Sequence, residues 1–570
     1  MTVPAAPRAP GVDVEWVSAD VPVPAAVRTD VAGFVGIAQR GPAHQPVRIT
    51  SWSQFQAVFG GYDPRGWLAF AVNGFFANGG DACWVVRAVD PDTARQATAD
   101  LPAVPGQTAL TATATSPGSW ADGTRLTSVD LGSEAFSLFV DSPVTQEAWP
   151  GLSLNPADAR YFKTVINDPV RGSQVVNLCA PVGKPPVTAV GSGTVALSGG
   201  TDGLATLQPG HLSGDLPPGI SSRTVWGLAA LDNVDEVGVV AIPDAVSHPV
   251  VPPLPVPPPP PPPGCCDPAP AQPARTVAMS PPAASERPPQ LSPGQTADMY
   301  NILLVSCATR RRFALLDEPS AADRPDQATG WARQLQASST ATAFGCLGYP
   351  WILGPDPFGS AGDVLATPVS GHLAGVFARN DLTAGVHKAP ANATVVGARD
   401  VAWTVDSPTH AQLNAASVSV ITVRPGRGIR LMGARTLDPG TTWRYVNVRR
   451  LISMIELSLE SALSWLVFEP NTPATRGDVE REVRAFLLAL WQRGALDGAQ
   501  ATDAMTVRCD DTTTTADDAA AGRLICLVGV QPPIPAEFVT VRIAVSEAGV
   551  QVAGEQGRTA LPAPGVPGGR

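Results

Sequence analysis

Lysine is almost missing from this chain. Lys163, Lys184 and Lys388 are the whole complement, so nearly all positive charge is arginine. With a formal net charge of −11, the chain lacks the clustered basic surface that nucleic-acid binding requires. Charge of either sign is scarce, at 16% of residues against 44% apolar, which is little to cover a large soluble monomer. At 570 residues the chain is too long for one ordinary core, and it either hides surface in an assembly or is a plain multidomain globular protein. Long hydrophobic runs are also missing: none approaches the roughly 20 residues of a membrane span, so no membrane insertion is expected. The opening MTVPAAPRAPGVDVEW has no apolar centre of a signal peptide. Synthesis and assembly are therefore expected in the cytoplasm, with later release as part of an extracellular particle left open. The eight cysteines form no CxxC pair and meet no histidine at ligand spacing, which excludes the common zinc frameworks and points to reduced thiols.

Catalytic patterns are absent in the same way. The six histidines (His44, His211, His248, His372, His387 and His410) share no i,i+4 pair and no HExxH. There is no GxSxG and no Walker A sequence, and GSGTVALSGGTDG has glycines without the lysine that phosphate binding needs. GVHKAPAN sets His387 beside Lys388, a pairing that a general base would use and that a solvated loop also shows. Asp510-Asp511, four threonines and Asp517-Asp518 do not follow EF-hand spacing, and a polar loop with a helix cap is expected there. No catalytic residue, metal site or cofactor is expected.

What is present is a mixed α/β pattern in several domains. VDVEWVS (12–18) alternates Val12, Val14 and Trp16 against Asp13 and Glu15, a half-buried strand set off by proline-rich residues on both sides. Residues 1–22 therefore read as an arm and linker. DVAGFVGIAQRGP predicts a strand, SWSQFQAVFGG a helix capped by Ser51 or Ser53 and WLAFAVNGFFANGG a second helix. ACWVVRAV predicts a buried strand. Residues 23–90 with 198–410 form the expected central α/β domain. Residues 91–197, rich in Thr, Ser and Gly, are an expected mostly β insertion. Within 246–297, seven consecutive prolines at 257–263 exclude helix and sheet; a ligand for a proline-recognising domain and a disordered insertion are the two readings. Residues 411–545 form the expected C-terminal domain. NVRRLISMIELSLESALSWLVF places Leu451, Ile455, Leu459, Ala462 and Leu466 on one helical face, and RGDVEREVRAFLLALWQRGAL turns Val479, Val483, Phe486, Leu487, Leu490 and Trp491 inward. A last strand alternates Phe538, Thr540 and Arg542 against Val539, Val541 and Ile543, and 546–570 reads as a flexible tail.

Several segments resemble the contractile tail sheath family of phage tails, type VI secretion machines and extracellular contractile injection systems. They include VAGFVGIAQRGP, the NGG-x-x-C-W-V-V-R-A-V strand, SGGTDGL, RRRFALLDEP, GYPWILGPDP, GVHKAPAN, GRGIRLMGART, WRYVNVRRL, WLVFEPN, VRCDDTTTT and GRLICLVGVQPPIPAEFV, in the family's order. Residues 91–197 and the polyproline stretch carry no such likeness, and a leucine-methionine pair stands where GIRLMGART more often has a branched residue and tryptophan. The resemblance implies a structural subunit that polymerises with itself in stacked six-fold rings around an inner tube. Baseplate and terminator or cap proteins are the other implied partners. It further implies that terminal strands from neighbouring subunits complete a sheet in the C-terminal domain, which here assigns strand exchange to Val12, Val14, Trp16, Phe538, Val539, Val541 and Ile543. Arg427, Arg430, Arg435, Arg444, Glu456 and Glu460 are candidates for ionic contacts in the lattice or to the tube, or for salt bridges within one subunit. The composition, the short insertion and the missing signal favour an injection system over a phage tail. A sheath-like assembly that does not contract and a hydrolase using His387 or Lys388 are the alternatives.

Overall fold

A computed structural model describes residues 25–102, 110–132, 134–180, 187, 189–214, 225–248, 287–320, 323–360, 362–537, 542–546 and 549–553. The polyproline stretch and the strand predicted at 12–18 lie outside these residues.

The centre is a nine-stranded sheet. In chain order its strands are β1 (Ala32–Gly36), β2 (Val47–Ile49), β3 (Cys83–Arg87), β4 (Val239–Ala241), β5 (Phe313–Asp317), β6 (Gly345–Tyr349), β7 (Ala393–Thr394), β8 (Val418–Arg424) and β9 (Gly428–Leu431). Their spatial order is β7-β9-β8-β6-β5-β4-β1-β3-β2. The six inner strands from β8 to β3 run parallel, and antiparallel β2 on one side and β9 with β7 on the other close the edges. Parallel strands need both faces covered, which is why they read as unbroken apolar runs such as FALLD and ACWVV.

Helices supply that cover. On one face lie α1 (Trp52–Phe59), α2 (Leu68–Ala77) and, much later in the chain, a helix packed on α2. On the other lie α3 (Pro293–Arg310) and α4 (Pro325–Ser338). The late helix is α5 (Ser370–Ala384). Ser51 caps α1 as predicted, accepting from the Gln54 N–H, and Ser292 with Gln295 forms a capping box on α3. Helices α2 and α5 touch through small residues: a Cβ on Gly371 would lie 2.2 Å from the Ala71 backbone, and one on Gly375 would lie 2.4 Å from the Phe75 carbonyl. Only glycine permits that approach.

Strands β8 and β9 bring a correction. The boundary expected at 410/411 falls before two strands of the large sheet, so the central domain continues to about residue 431. Arg424 to Gly428 forms a tight turn rather than a linker, and the β8–β6 pairing commits the segment to the central sheet.

The insertion carries a four-stranded sheet ordered Gly193–Ala196, Arg125–Gly132, Ala135–Asp141 and Gln146–Ser153. A three-stranded sheet of Thr98–Asp100, Thr111–Ala114 and Val176–Cys179 accompanies it, and the two share a separate apolar core. The C-terminal domain is built on α6 (Val446–Ala462) and α7 (Pro473–Gln492), with a two-stranded sheet of β10 (Met505–Arg508) and β11 (Leu527–Val530). Val479, Val483, Phe486, Leu487 and Leu490 of α7 are buried as expected. On α6 the predicted stripe holds for Leu451 and Ile455, but Leu459 and Ala462 are only half-buried, as is Leu466 in the 3₁₀ turn that follows at Leu463.

Residues 534–570 form a separate unit, in which β12 (Arg542–Ser546) pairs antiparallel with β13 (Gly549–Ala553). The tail expected from 546 thus contains a strand. GVQVA has the alternation of a strand, and the Gly- and Pro-rich composition of the residues after it masks that signal.

Candidate assembly surface

The arginines adjacent to the predicted ionic residues turn out to organise the molecule. Arg450 on α6 donates through its terminal nitrogens to both oxygens of Asp381 on α5, at 3.1 and 2.6 Å, and to the Thr29 carbonyl at 2.9 Å. Thr29 Oγ1 in turn donates to Asp381 at 2.7 Å. The two charged side chains are 4% and 3% exposed. One buried pair therefore fastens the N-terminal linker, the central domain and the C-terminal domain together. The Val27 N–H donates to Ser458 Oγ at 3.0 Å, so the linker is held on α6 from residue 27 onward.

Arg449 lies with its guanidinium 4.3 Å from the Trp443 ring centre and 4.6 Å from that of Phe344. Burial lowers its pKa, opposed by Glu456 at 3.2 Å. Sequence reasoning missed both arginines because charged residues beside an apolar stripe read as the wet face of a helix. The repeated aromatics Phe344, Phe377 and Trp443 were the available signal.

The candidates themselves divide. Glu456 and Glu460 are taken up by Arg311, at 3.1 and 2.8 Å, within the same chain. Arg430 donates to the Asn392 carbonyl at 2.5 Å, tying β9 to the GVHKAPAN loop, and Arg435 donates to the Asn414 carbonyl at 2.8 Å. Arg427 is exposed and Arg444 half-buried, neither with a side-chain hydrogen bond or ion pair among the described residues. Val12, Val14, Trp16, Phe538, Val539 and Val541 lie outside the described residues, and Ile543 pairs with Val552 in the β12–β13 hairpin.

A second buried network sits at the root of the insertion. Arg65 pairs with Asp63 and Asp202, both at 2.8 Å, and Arg87 pairs with Asp202 at 3.1 Å. Burial lowers Arg65, but the two carboxylates outweigh it and hold its pKa above the ordinary value. Burial pushes Arg87 down to about 10, so it stays charged. Arg87 also donates to the carbonyls of Ala38, Gly41 and Pro117, so the central sheet and the insertion share one guanidinium.

The surface of the C-terminal domain is less finished. Among the described residues β10 and β11 form a sheet of two strands only, and Leu527 is 57% exposed upon it. Two strands alone are marginal in water; Arg484 donates to the Val507 carbonyl on the β10 side, whereas β11 is largely exposed and leaves its outer edge open. Trp465, Val467 and Phe468 add exposed apolar surface after α6. Phe468 is fully exposed at φ 73°, a left-handed conformation that a non-glycine residue adopts at a cost of about 1–2 kcal/mol.

Nothing converges as a catalytic centre among the described residues, and no group of three or more His, Cys, Asp or Glu is placed to hold a metal. His387 serves through its carbonyl, which accepts from Asn447 Nδ2 at 2.8 Å, and the Lys388 carbonyl accepts from Asn380 Nδ2 at 2.8 Å. Asp510 accepts from the Thr512 N–H at 2.8 Å, Asp511 binds Arg476, and Asp518 closes a capping box with Thr515. No helix among the described residues is long and apolar enough to cross a membrane.

Comparison with known proteins fits this anatomy. Residues 297–437 match the family described as phage tail sheath protein central domain, and residues 438–546 match the phage tail sheath C-terminal domain. The two meet just past β9, where the large sheet ends. The tail sheath protein of Salmonella phage ViI is 29% identical over 177 residues, covering 30% of this chain and 27% of that protein. The chain thus spans about a quarter of the length of that curated relative. In fold, it is similar to the PVC sheath complex of an extracellular contractile injection system in the contracted state, with a TM-score of 0.53 and 19% identity over 96% of this chain and 99% of that one. The helical sheath of the anti-feeding prophage, also contracted, gives a TM-score of 0.53 and 21% identity over 95% of this chain and all (100%) of the other.

Proposed function

We propose, from the match of residues 297–437 and 438–546 to the phage tail sheath central and C-terminal domains, that this chain is the structural subunit of a contractile sheath that polymerises helically around an inner tube. On this reading the sheath shortens and drives the tube through a target envelope, and the role is mechanical rather than enzymatic. The observation that carries the proposal is the two-stranded β10–β11 sheet, with an exposed β11 edge and exposed Leu527, in the same domain that anchors the N-terminal linker at Val27.

Residues 12–18 precede that anchor by at least nine positions, a reach of about 30 Å when extended. This is enough for the arm of one subunit to leave its own body and add to the β10–β11 sheet of a neighbour. Residues 537–545 of another neighbour are the proposed second donor. Each added strand contributes only about 0.5–1.5 kcal/mol per hydrogen bond, but repetition along a lattice multiplies it through effective concentration. A head-to-tail contact that does not close builds a helical tube, and six subunits per ring is the expected symmetry. Contraction then needs no nucleotide: a lattice trapped in an extended form relaxes when the baseplate releases it. The exposed Trp465–Phe468 segment is proposed to be covered by an adjacent subunit, and Arg427 and Arg444 are left for ionic contacts there or to the tube.

The test is negative-stain electron microscopy of the purified chain, alone and co-expressed with its tube protein, beside a version lacking residues 1–18. Hollow striated cylinders lost on truncation support the proposal. Cylinders that form equally well without residues 1–18 refute strand exchange, and cylinders that never shorten under destabilising conditions indicate a sheath-like assembly that does not contract.

A further inference from the structure

Cys509 and Cys526 are far apart in the chain but face each other. The β10–β11 register runs Met505 with Val530, Thr506 with Gly529, Val507 with Val528 and Arg508 with Leu527. Extending it by one position sets Cys509 opposite Cys526. The Gln531 N–H donates to the Ala504 carbonyl at 2.9 Å, so residues 504 and 531 form a hydrogen-bonded pair. Alternation along an antiparallel ladder then makes 509/526 a non-hydrogen-bonded pair, the closer kind, with a Cα separation of about 4.5 Å. That falls within the range of about 4.4–6.8 Å that a disulfide spans without backbone movement. The two thiols perturb each other's titration, and both are free.

The surroundings hold this geometry. Thr513 Oγ1 donates to the Ile525 carbonyl at 2.7 Å, and the Ile525 N–H donates to Thr514 Oγ1 at 3.0 Å. Arg476 binds Asp511 and Asn471 Oδ1, while Asn471 Nδ2 donates to the Arg523 carbonyl at 3.0 Å. The loop between the cysteines is thus pinned at both ends, and Cys509 is buried while Cys526 is half-buried.

We propose that Cys509 and Cys526 are a modification site: a dithiol that closes to an intrachain disulfide when the protein meets a low-molecular-weight disulfide oxidant. The more accessible Cys526, as thiolate, attacks one sulfur of the oxidant and expels a small thiolate. The Cys509 thiolate then attacks the Cys526 sulfur of the mixed disulfide and expels the second. The protein loses two hydrogens and the oxidant leaves as two thiols, so atoms and electrons balance. Burial raises both thiols, Cys526 to about 12. Exchange is therefore slow near neutrality and faster in mild alkali. In the reducing interior of a cell the pair stays open, and outside it the pair closes.

The consequence for assembly rests on the sheath reading, because the crosslink staples the sheet proposed to receive strands from neighbours. The chemistry does not rest on it and is tested on the purified full chain. Oxidised glutathione at pH 8.5, followed by alkylation and peptide mapping, is expected to yield a 509–526 crosslinked peptide. The same treatment should slow amide exchange in β10 and β11 by about a hundredfold, since closing a loop of this size removes that much freedom from the open state. C526S is expected to abolish the crosslink while leaving the thermal midpoint of the reduced chain nearly unchanged. C265S/C266S is expected to leave the crosslink intact. A mixed disulfide on exposed Cys179 with no 509–526 crosslink, or crosslinks joining other cysteines, would overturn the proposal. Neither result would bear on whether the chain forms cylinders.

Discussion

The two sheets to which the family-matched residues contribute strands are opposites. The nine-stranded central sheet is covered on both faces and closed at its edges by short antiparallel strands, β2 on one side and two-residue β7 on the other. The β10–β11 sheet has, among the described residues, two strands, an exposed β11 edge and an exposed leucine. Closed edges are what a protein uses to avoid unwanted pairing, and an open apolar edge is what it keeps when pairing is the purpose. On the proposed function, the first sheet supplies stability and the second association. Arg450 and Asp381 join them, because α5 packs on the central sheet and α6 belongs to the domain that carries β10 and β11.

That joint predicts the largest effect. Arg450→Ala leaves Asp381 buried with only Thr29 as a side-chain partner, and removing one member of such a pair costs about 3–5 kcal/mol. Urea denaturation followed by tryptophan fluorescence should show the loss. A cost below about 1 kcal/mol would mean that the two domains are held by packing alone.

Second in size is a gain inside the central sheet. Glu318 is buried directly after β5 with neither carboxylate oxygen hydrogen-bonded among the described residues. Burial, reinforced by Asp323 and Asp317, raises its pKa well above the carboxylate range. Asp317 is pushed by burial to about 6, even though its Oδ1 accepts the Val369 and Ser370 N–H groups at 2.7 and 2.8 Å at the start of α5. For a carboxyl group raised in the folded state, the unfolded chain releases its proton first as pH rises. The group's contribution is therefore complete below the unfolded pKa and is lost as pH climbs toward the folded one. Glu318→Gln is expected to stabilise the chain by about 1–3 kcal/mol at pH 7 and to converge with the natural chain near pH 4. Thermal midpoints across that range check it, and an advantage that grows on acidification would reverse the assignment.

Much of this comparison was legible in the sequence, and the failures have physical causes. The Ser51 cap, the apolar runs of β3 and β5 and the inward stripe of α7 follow local rules, so they could be read from neighbours in the chain. Arg450 and Asp202 could not, because each is defined by partners tens or hundreds of positions away. Asp202 in SGGTDGL reads as a turn residue, yet its carboxylate bridges Arg65 and Arg87. Strands β8 and β9 were placed past the expected boundary for the same reason, since the strand that joins β8 to the central sheet, β6, lies about 70 positions earlier in the chain. Of the strand-exchange set, only Ile543 lies among the described residues, where it is paired within its own hairpin.

A smaller effect separates the ionic candidates from the joint. Arg311 meets Glu456 and Glu460 at distances close to those of Arg450 with Asp381, but its side chain is 37% exposed and theirs are 41% and 64%. Solvent screening and side-chain entropy reduce such pairs to about 0.2–1 kcal/mol. Arg311→Ala should therefore shift the urea midpoint only slightly, and less still in high salt. A loss as large as that of Arg450→Ala would place Arg311 in the joint rather than on the surface.

The smallest effect on the folded chain is expected where the effect on assembly is greatest. Leu527→Lys puts a charge on the exposed strand β11, and surface substitutions of this kind change stability by about 0.5 kcal/mol or less. The same charge works against an incoming apolar strand, as lysine does on natural sheet edges. Unchanged denaturation together with loss of cylinders would locate association in β10–β11. Unchanged denaturation with intact cylinders would remove that sheet from the lattice and leave the exposed Trp465–Phe468 segment as the surface to test. The outcome is informative because stability and assembly are read separately on one variant, which is possible only if the two sheets divide the work between them.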